Sequence, residues 1–301
     1  MATPGVYPDI PFDEYLKLDA LNASTLKRFD ESPRHALHYV SEPDPPPGPH
    51  LVFGSFLHSM VLEPDTVDDL YGVKPTVNRS TKEGVADYHQ WLTDEVGGDW
   101  STIDRDELLT FNIRELREDI AELEPLLDKT YLTAEEFDQA RLMAAQVNET
   151  TLFEFRKDRQ TELTVVAPIA GTMCKIRIDL YSPLGVLIDL KSTSQSARVE
   201  SFSNEIVRYR YDVQAGLYAA VARAAGLDVA AFAFVPVSKT PPYLASFLAI
   251  DDLDILEDYA TQLVIEFGEC LTCNEWPGYY DGGQSVSVPG WRKQQMEERI
   301  P

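Results

Sequence analysis

Lys175-Ile-Arg-Ile-Asp179-Leu-Tyr-Ser-Pro-Leu-Gly185-Val-Leu-Ile-Asp189-Leu-Lys191 is the stretch on which the reading of this chain turns. Two alternating apolar runs flank Ser182-Pro183-Leu184-Gly185, whose residue types favour a tight turn. A turn centred on Leu184 sets Asp179 opposite Asp189, with Cβ atoms about 5 Å apart and both carboxylates on one face. Alternation adds Arg177 and Lys191 to that face and sends Ile176, Ile178, Ile188 and Leu190 into a core. Two carboxylates that close repel each other unless a cation lies between them. Asp189 is therefore expected to hold Mg2+, with Mn2+ as a second choice, because hard divalent cations take oxygen ligands. The backbone carbonyl of Leu190 is a further candidate ligand. Lys191 is placed to orient the attacking water and help to deprotonate it, an arrangement suited to phosphodiester hydrolysis.

Working outward, Glu162 opens the preceding strand and is a candidate third carboxylate. It would either bind a second ion or hold the attacking water. His58 lies in Gly54-Ser-Phe-Leu-His58, within an apolar helix. Read alone, it is either a satisfied core histidine or a ligand. Gly54, one turn earlier on the same face, would suit the close passage of another backbone or of a substrate. Downstream, Tyr211, Gln214 and Tyr218 share one helical face. They are candidates for packing on sugars or bases, and Arg177, Arg208 and Arg210 for phosphate contacts.

Periodicity predicts short helices over 12–18, 24–30 and 33–40, then an extended proline-rich loop over 41–50. Helices follow over 51–62, 83–95, 104–127 and 133–150. Strands are expected over 162–169, 172–181 and 185–191, a helix over 207–225, strands over 230–237 and 243–250, and a helix over 254–273. The chain thus reads as α/β, a sheet with helices packed on it. A helical region over 1–150 contributes His58 and a core spans 151–301, the two forming one compact domain over 20–280.

Of 301 residues, 44% are hydrophobic and 25% charged, as expected for a globular protein. Three cysteines, Cys174, Cys270 and Cys273, argue against a disulfide framework, and one C-x-x-C without further ligands argues against zinc. No apolar run approaches membrane-spanning length and no secretory signal is visible, so a cytoplasmic location is expected. The net charge of −24 runs against nucleic-acid binding. Its distribution softens the objection: residues 175–214 carry six basic and five acidic side chains.

Gly54-x-x-x-His58, Glu162, Lys175-x-Arg177-x-Asp179, Asp189-Leu190-Lys191 and Gln214-x-x-x-Tyr218 form an ordered set that resembles the PD-(D/E)xK nuclease superfamily. The nuclease domains of the exonuclease VIII (RecE) type and their phage relatives are the nearest in pattern. Ser32-Pro33 and Trp276-Pro277-Gly278-Tyr279 extend the likeness, which runs from Asn22 to Tyr279. It implies a restriction-endonuclease-like mixed central sheet flanked by helices, and a processive 5′→3′ exonuclease that leaves 3′ overhangs on double-stranded DNA. It further implies His58, Asp179 and Asp189 as metal ligands and Lys191 serving the nucleophilic water, with Gln214 and Tyr218 in support. Double-stranded DNA ends, a RecT-like annealing protein and a homo-oligomeric ring, a tetramer, are the implied partners in recombination. The alternatives are an endonuclease of the same superfamily and a non-catalytic DNA-end-binding protein.

Overall fold

Among the described residues there are eight strands: β1 (Gly5–Tyr7), β2 (Tyr71–Lys74), β3 (Thr130–Thr133), β4 (Gln160–Ile169), β5 (Thr172–Ser182), β6 (Val186–Thr193), β7 (Ala231–Ser238) and β8 (Leu248–Ala249); β-branched alternation bounded by turn residues marks β4 to β7. They come from a computed structural model that describes residues 2–8, 10–42, 48–97, 104–155, 157–279 and 285–300. Half of the expected proline-rich loop, residues 43–47, lies outside the described residues.

Six strands form one mixed sheet in the order β1-β4-β5-β6-β7-β8, while β2 and β3 pair separately. All neighbours in the large sheet are antiparallel except β6 and β7, which run parallel. The β4–β5 connection is tight because Ala170 and Gly171 both take positive φ.

The helices are α1 (Phe12–Lys17), α2 (Ala23–Glu31), α3 (Pro33–Ser41), α4 (Pro49–Leu62), α5 (Val67–Leu70), α6 (Lys82–Val96), α7 (Arg105–Leu108), α8 (Ile113–Leu123), α9 (Ala134–Asn148), α10 (Val199–Arg208), α11 (Tyr211–Ala224), α12 (Leu253–Cys273) and α13 (Gly290–Glu297). Side-chain caps explain several starts. Asn22 accepts from Thr25 N at α2, Ser32 from His35 N at α3, and Thr133 with Glu136 makes a capping box at α9.

Three expected elements change in the structure. The helix expected over 104–127 is two, α7 and α8, because Asn112 caps a new helix start with Glu115. The helix expected over 207–225 starts only at Tyr211, because Arg210 adopts a left-handed backbone (φ 54°) that separates α11 from α10, a helix absent from the expected elements. The strand expected over 243–250 shrinks to β8, since Pro241 and Pro242 carry no N–H and Tyr243 sits at φ 62°.

The sheet is covered on both faces. Leu163, Val165, Ile176, Ile178, Phe232 and Phe234 form a core with α2, α11 and α12. Leu180, Ile188, Leu190, Val235 and Val237 form the other with α4 and α9. Ile176 and Ile178 therefore do not share a core with Ile188 and Leu190, as simple alternation predicts. The pleat is interrupted at Glu162, which has φ 51° and drops out of the ladder between the pairs Thr161↔Leu180 and Leu163↔Ile178. A third core, around Leu92, Leu108, Leu116 and Ile120, holds α6, α7 and α8 together.

The N-terminal arm is docked by β5. Buried Lys175 donates to the carbonyls of Tyr15, Leu16 and Leu18 at 2.8–3.0 Å. These bonds satisfy the carbonyls at the end of α1.

Candidate active site

The site lies where β5 and β6 part. Their pairing runs from Ser182↔Val186 to Leu180↔Ile188, and the same register sets Asp179 opposite Asp189. There the regular ladder ends. Asp179 Oδ2 accepts the Leu190 N–H at 2.7 Å. Upstream, β5 turns to Leu21, whose backbone pairs with Met173 and Lys175. β6 instead continues beside β7 to Thr193. The fork so formed is reached by side chains from β4, α4, α2 and α11.

α4 supplies His58. Its Nε2 lies 3.0 Å from the Leu190 carbonyl oxygen and its Nδ1 3.5 Å from Asp179 Oδ2. A hydrogen bond to a carbonyl requires Nε2–H, which leaves Nδ1 the free lone pair of the neutral ring. β4 supplies Glu162. A non-glycine residue in the left-handed region costs roughly 1–2 kcal/mol, so the flanking β4–β5 pairs must hold it there. His58, Glu162 and Asp179 each offer one ligand atom, and these lie within 4.8 Å of one another.

Asp189 stands outside that trio and is buried. Its Oδ1 accepts from Gln214 Nε2 at 2.5 Å, and its Oδ2 faces Lys191 Nζ at 2.6 Å. The Lys191 ammonium is the close partner of that buried Oδ2, and a carboxylate oxygen so paired still has a lone pair to offer an ion. Gln214 Oε1 in turn accepts from Lys27 Nζ at 2.7 Å. Both amines, of Lys27 and Lys191, lie 4.9 Å from the centroid of the Tyr211 ring, within cation–π reach.

Burial and crowding shape the charges. Burial, then the Asp189 carboxylate, pushes Asp179 up to about 8. Burial and then Asp179 also raise Glu162. Burial draws His58 below its usual range, in favour of the neutral ring that can act as a ligand. For Lys191, burial pulls downward, but Asp189 and Asp179 outweigh it and hold the ammonium above its ordinary range. Lys27 goes the other way: burial, then the charge of Lys191, brings it down to about 7.

This donor set fits a hard divalent cation. Crowded carboxylates that resist ionisation, a neutral imidazole and the remaining lone pair of Asp189 Oδ2 are what such an ion would use. His58, Glu162 and Asp179 would hold it, with Asp189 Oδ2 and the Leu190 carbonyl beside them. A bound ion supplies Lewis acidity and acidifies water. Lys191, an ammonium in this state, is a hydrogen-bond donor to an incoming oxygen. A proton-accepting role requires the charge of Asp189 and Asp179 to be offset first.

Several expected site residues are placed elsewhere. Arg177 is committed internally: Nε donates to Glu162 at 2.6 Å and Nη1 to the Ile10 carbonyl at 2.7 Å, so phosphate contact is not its role. Arg210 pairs with Asp30 and Asp212. Tyr218 is buried near Phe232 and cannot stack on a base. Tyr211 is half-buried, beneath the two amines. Arg208 is exposed, with its guanidinium over the Tyr209 ring. Gly54 has no atom within 4 Å of the position a Cβ would take, so no neighbouring backbone explains that glycine. Lys27 escapes a reading of the sequence. A Lys-Arg pair in a nine-residue helix reads as solvated, and only the fold brings it to Gln214.

Comparison with curated proteins finds no match. Among solved structures, a crystal structure of a "Putative exonuclease" from Eubacterium rectale is similar, with 14% sequence identity and a TM-score of 0.55. The match covers 93% of this chain and 96% of that one, and it shows a shared fold. The family described as "PDDEXK-like domain of unknown function (DUF3799)" matches residues 22–285. That span takes in α2, the whole fork at Asp179 and Asp189, and α12, and the chain belongs to this PDDEXK-like family.

Proposed function

We propose that the chain is a divalent-metal-dependent deoxyribonuclease that degrades linear double-stranded DNA from its ends, 5′→3′, leaving 3′ overhangs for recombination. The observation that carries the hydrolytic reading is the fork itself. Two carboxylates on diverging strands meet His58, Glu162 and Lys191 in a half-buried cluster of charge. Membership of a PDDEXK-like family supports the same chemistry. The likeness to a Eubacterium rectale protein named as an exonuclease supports attack from ends, and polarity rests on the resemblance to exonuclease VIII. In this reading Asp179 and Asp189 hold the ion, Glu162 and His58 complete its shell, and Lys191 donates to the reacting oxygen. A ring-shaped tetramer working with an annealing protein of the RecT type belongs to the same proposal. Sedimentation of the purified chain would test the ring.

The decisive assay uses duplexes labelled at the 5′ or 3′ end and closed circles, with Mg2+, Mn2+ or EDTA. Early release of the 5′ label from linear DNA, intact circles and no reaction in EDTA are expected. Asp189→Ala and Lys191→Ala should each lower the rate on the order of a thousandfold, an effect of about 4 kcal/mol, with the fold retained by circular dichroism. Cleavage of circles would replace the exonuclease with an endonuclease. Intact linear DNA in the presence of metal would leave an end-binding protein.

A further inference from the structure

We infer that Lys27, on α2, is a positioning residue of the reaction centre: it fixes the side-chain amide of Gln214 so that the NH2 group, not the carbonyl, meets Asp189. The inference rests on the reading of Asp189 and Lys191 as that centre. The contacts form one continuous line. Lys27 Nζ donates to Gln214 Oε1 at 2.7 Å, Gln214 Nε2 donates to Asp189 Oδ1 at 2.5 Å, and Asp189 Oδ2 faces Lys191 Nζ at 2.6 Å. A terminal amide has two orientations of similar shape and opposite polarity. Here its partners decide between them. An ionised carboxylate only accepts, and Nζ of lysine carries hydrogens to give. One orientation satisfies both ends, whereas the flipped one sets two oxygens against each other at Asp189.

The consequence falls on the carboxylate. With Oδ1 taken by Gln214, the Asp189 plane is set and Oδ2 alone remains for Lys191 and for an ion. Without Lys27, the buried Gln214 carbonyl loses its donor, and the amide is free to turn. Asp189 Oδ1 then faces a carbonyl oxygen or loses its donor, while Oδ2 keeps Lys191, at a site that water reaches poorly. The Tyr211 ring lies within cation–π distance of both amines and restrains their separation. A second tie, Arg210 to Asp30, also joins α2 to the start of α11. α2 is therefore anchored to α11 independently of Lys27, so removal of the Lys27 side chain tests its contact with Gln214 rather than the docking of the helix.

The test is a double-mutant cycle on Lys27→Met and Gln214→Met, with Lys27→Arg as the conservative variant. It has two readouts on the full chain: Mn2+ affinity without DNA, by electron paramagnetic resonance, and kcat and KM on linear duplex. Lys27→Met should weaken Mn2+ binding about tenfold and lower kcat more than it raises KM. The double variant should be no worse than Gln214→Met alone, and Lys27→Arg should recover part of the loss. Mn2+ affinity within twofold of wild type in Lys27→Met overturns the inference. Losses that multiply in the double variant overturn it too, because they would show that Lys27 and Gln214 act apart. If the wild-type chain binds Mn2+ but cuts no DNA, the proposed function fails, and the affinity cycle alone decides the role of Lys27. If the wild-type chain binds no Mn2+, this inference falls with the centre. Melting temperatures identify a variant that has not folded; Lys27→Gln then replaces Lys27→Met in the cycle.

Discussion

Glu162 faces opposite demands on its side chain and its backbone. The carboxylate sits with His58 and Asp179 and accepts from Arg177, yet φ is 51° in the middle of a strand pair. Glycine would adopt that φ without strain, but glycine brings no carboxylate. The strain is thus tolerated where an acid is wanted, as at many functional sites. The two contributions separate by substitution. Glu162→Ala and Glu162→Gly both remove the acid and should both abolish metal-dependent cutting. They should differ in stability, because only alanine retains the strained backbone. Urea unfolding should find the glycine variant more stable than the alanine variant by about 1 kcal/mol. Equal stability, or a more stable alanine variant, would show that φ at this position relaxes on substitution and stores no strain. Arg177 illustrates the same economy of charge. Paired with Glu162 and the Ile10 carbonyl, it serves the arrangement of the site and not the capture of a phosphate.

Among elements, the β5–β6 hairpin is the most legible, because a turn with fixed residue types sets the register by counting. Asp179 opposite Asp189 follows from it, and so does Lys191 beside Asp189. What the residue pattern does not carry is coverage. The tyrosine at position 218 lies well off the apolar stripe of α11, which suggests a half-exposed face. In fact ten of its fourteen residues are buried, because α12 lies against the helix opposite the sheet. Gly216 marks that contact: a Cβ there would come within 2.0 Å of the Leu256 carbonyl oxygen. Lys27 is illegible for a related reason, since its partner Gln214 is 187 residues away. The short strands β2 and β3 leave no signal because four residues show too little periodicity. Because α7 and α8 pack over α6, coverage, not length, hides His89 on that helix. It is 1% exposed, neither ring nitrogen has a hydrogen-bond partner, and Asp119 lies 3.5 Å away. Burial holds its pKa below the ordinary value of 6.5 despite Asp119. The sign follows directly. Below pH 6.5 the unfolded chain takes up a proton that the folded chain refuses, so stability falls as pH drops through that range. The core of α6, α7 and α8 should therefore loosen in acid before the sheet does. Hydrogen exchange over α6, α7 and α8 should quicken below pH 6.5, and His89→Leu should remove that part of the dependence. Unchanged acid sensitivity in His89→Leu would assign it to other groups.

At the scale of the molecule, a net charge of −24 must be reconciled with a polyanionic substrate. The structure reduces the available cations further than the residue pattern implies. Lys175 is spent on the carbonyls around α1, Arg177 on Glu162 and Arg210 on Asp30. Near the fork, Lys27 and Lys191 are already bound to Gln214 and Asp189; counted together with exposed Arg208 they set an upper limit of three cations for phosphates there. Each phosphate neutralised on duplex DNA contributes about −0.9 to the slope of log affinity against log salt. Three such contacts set a slope no steeper than about −3 for a single chain. Beyond them, the acidic exterior repels DNA, and added salt screens that repulsion and flattens the slope further. Anisotropy of a labelled duplex in EDTA, where no cutting occurs, measures this directly. A shallow slope, reduced by about one in Arg208→Ala, fits DNA gripped only at the fork, with a divalent ion as the main attraction. A slope steeper than about −5 would require more cations than one chain presents near its fork, and would point to a DNA-binding surface assembled from several copies.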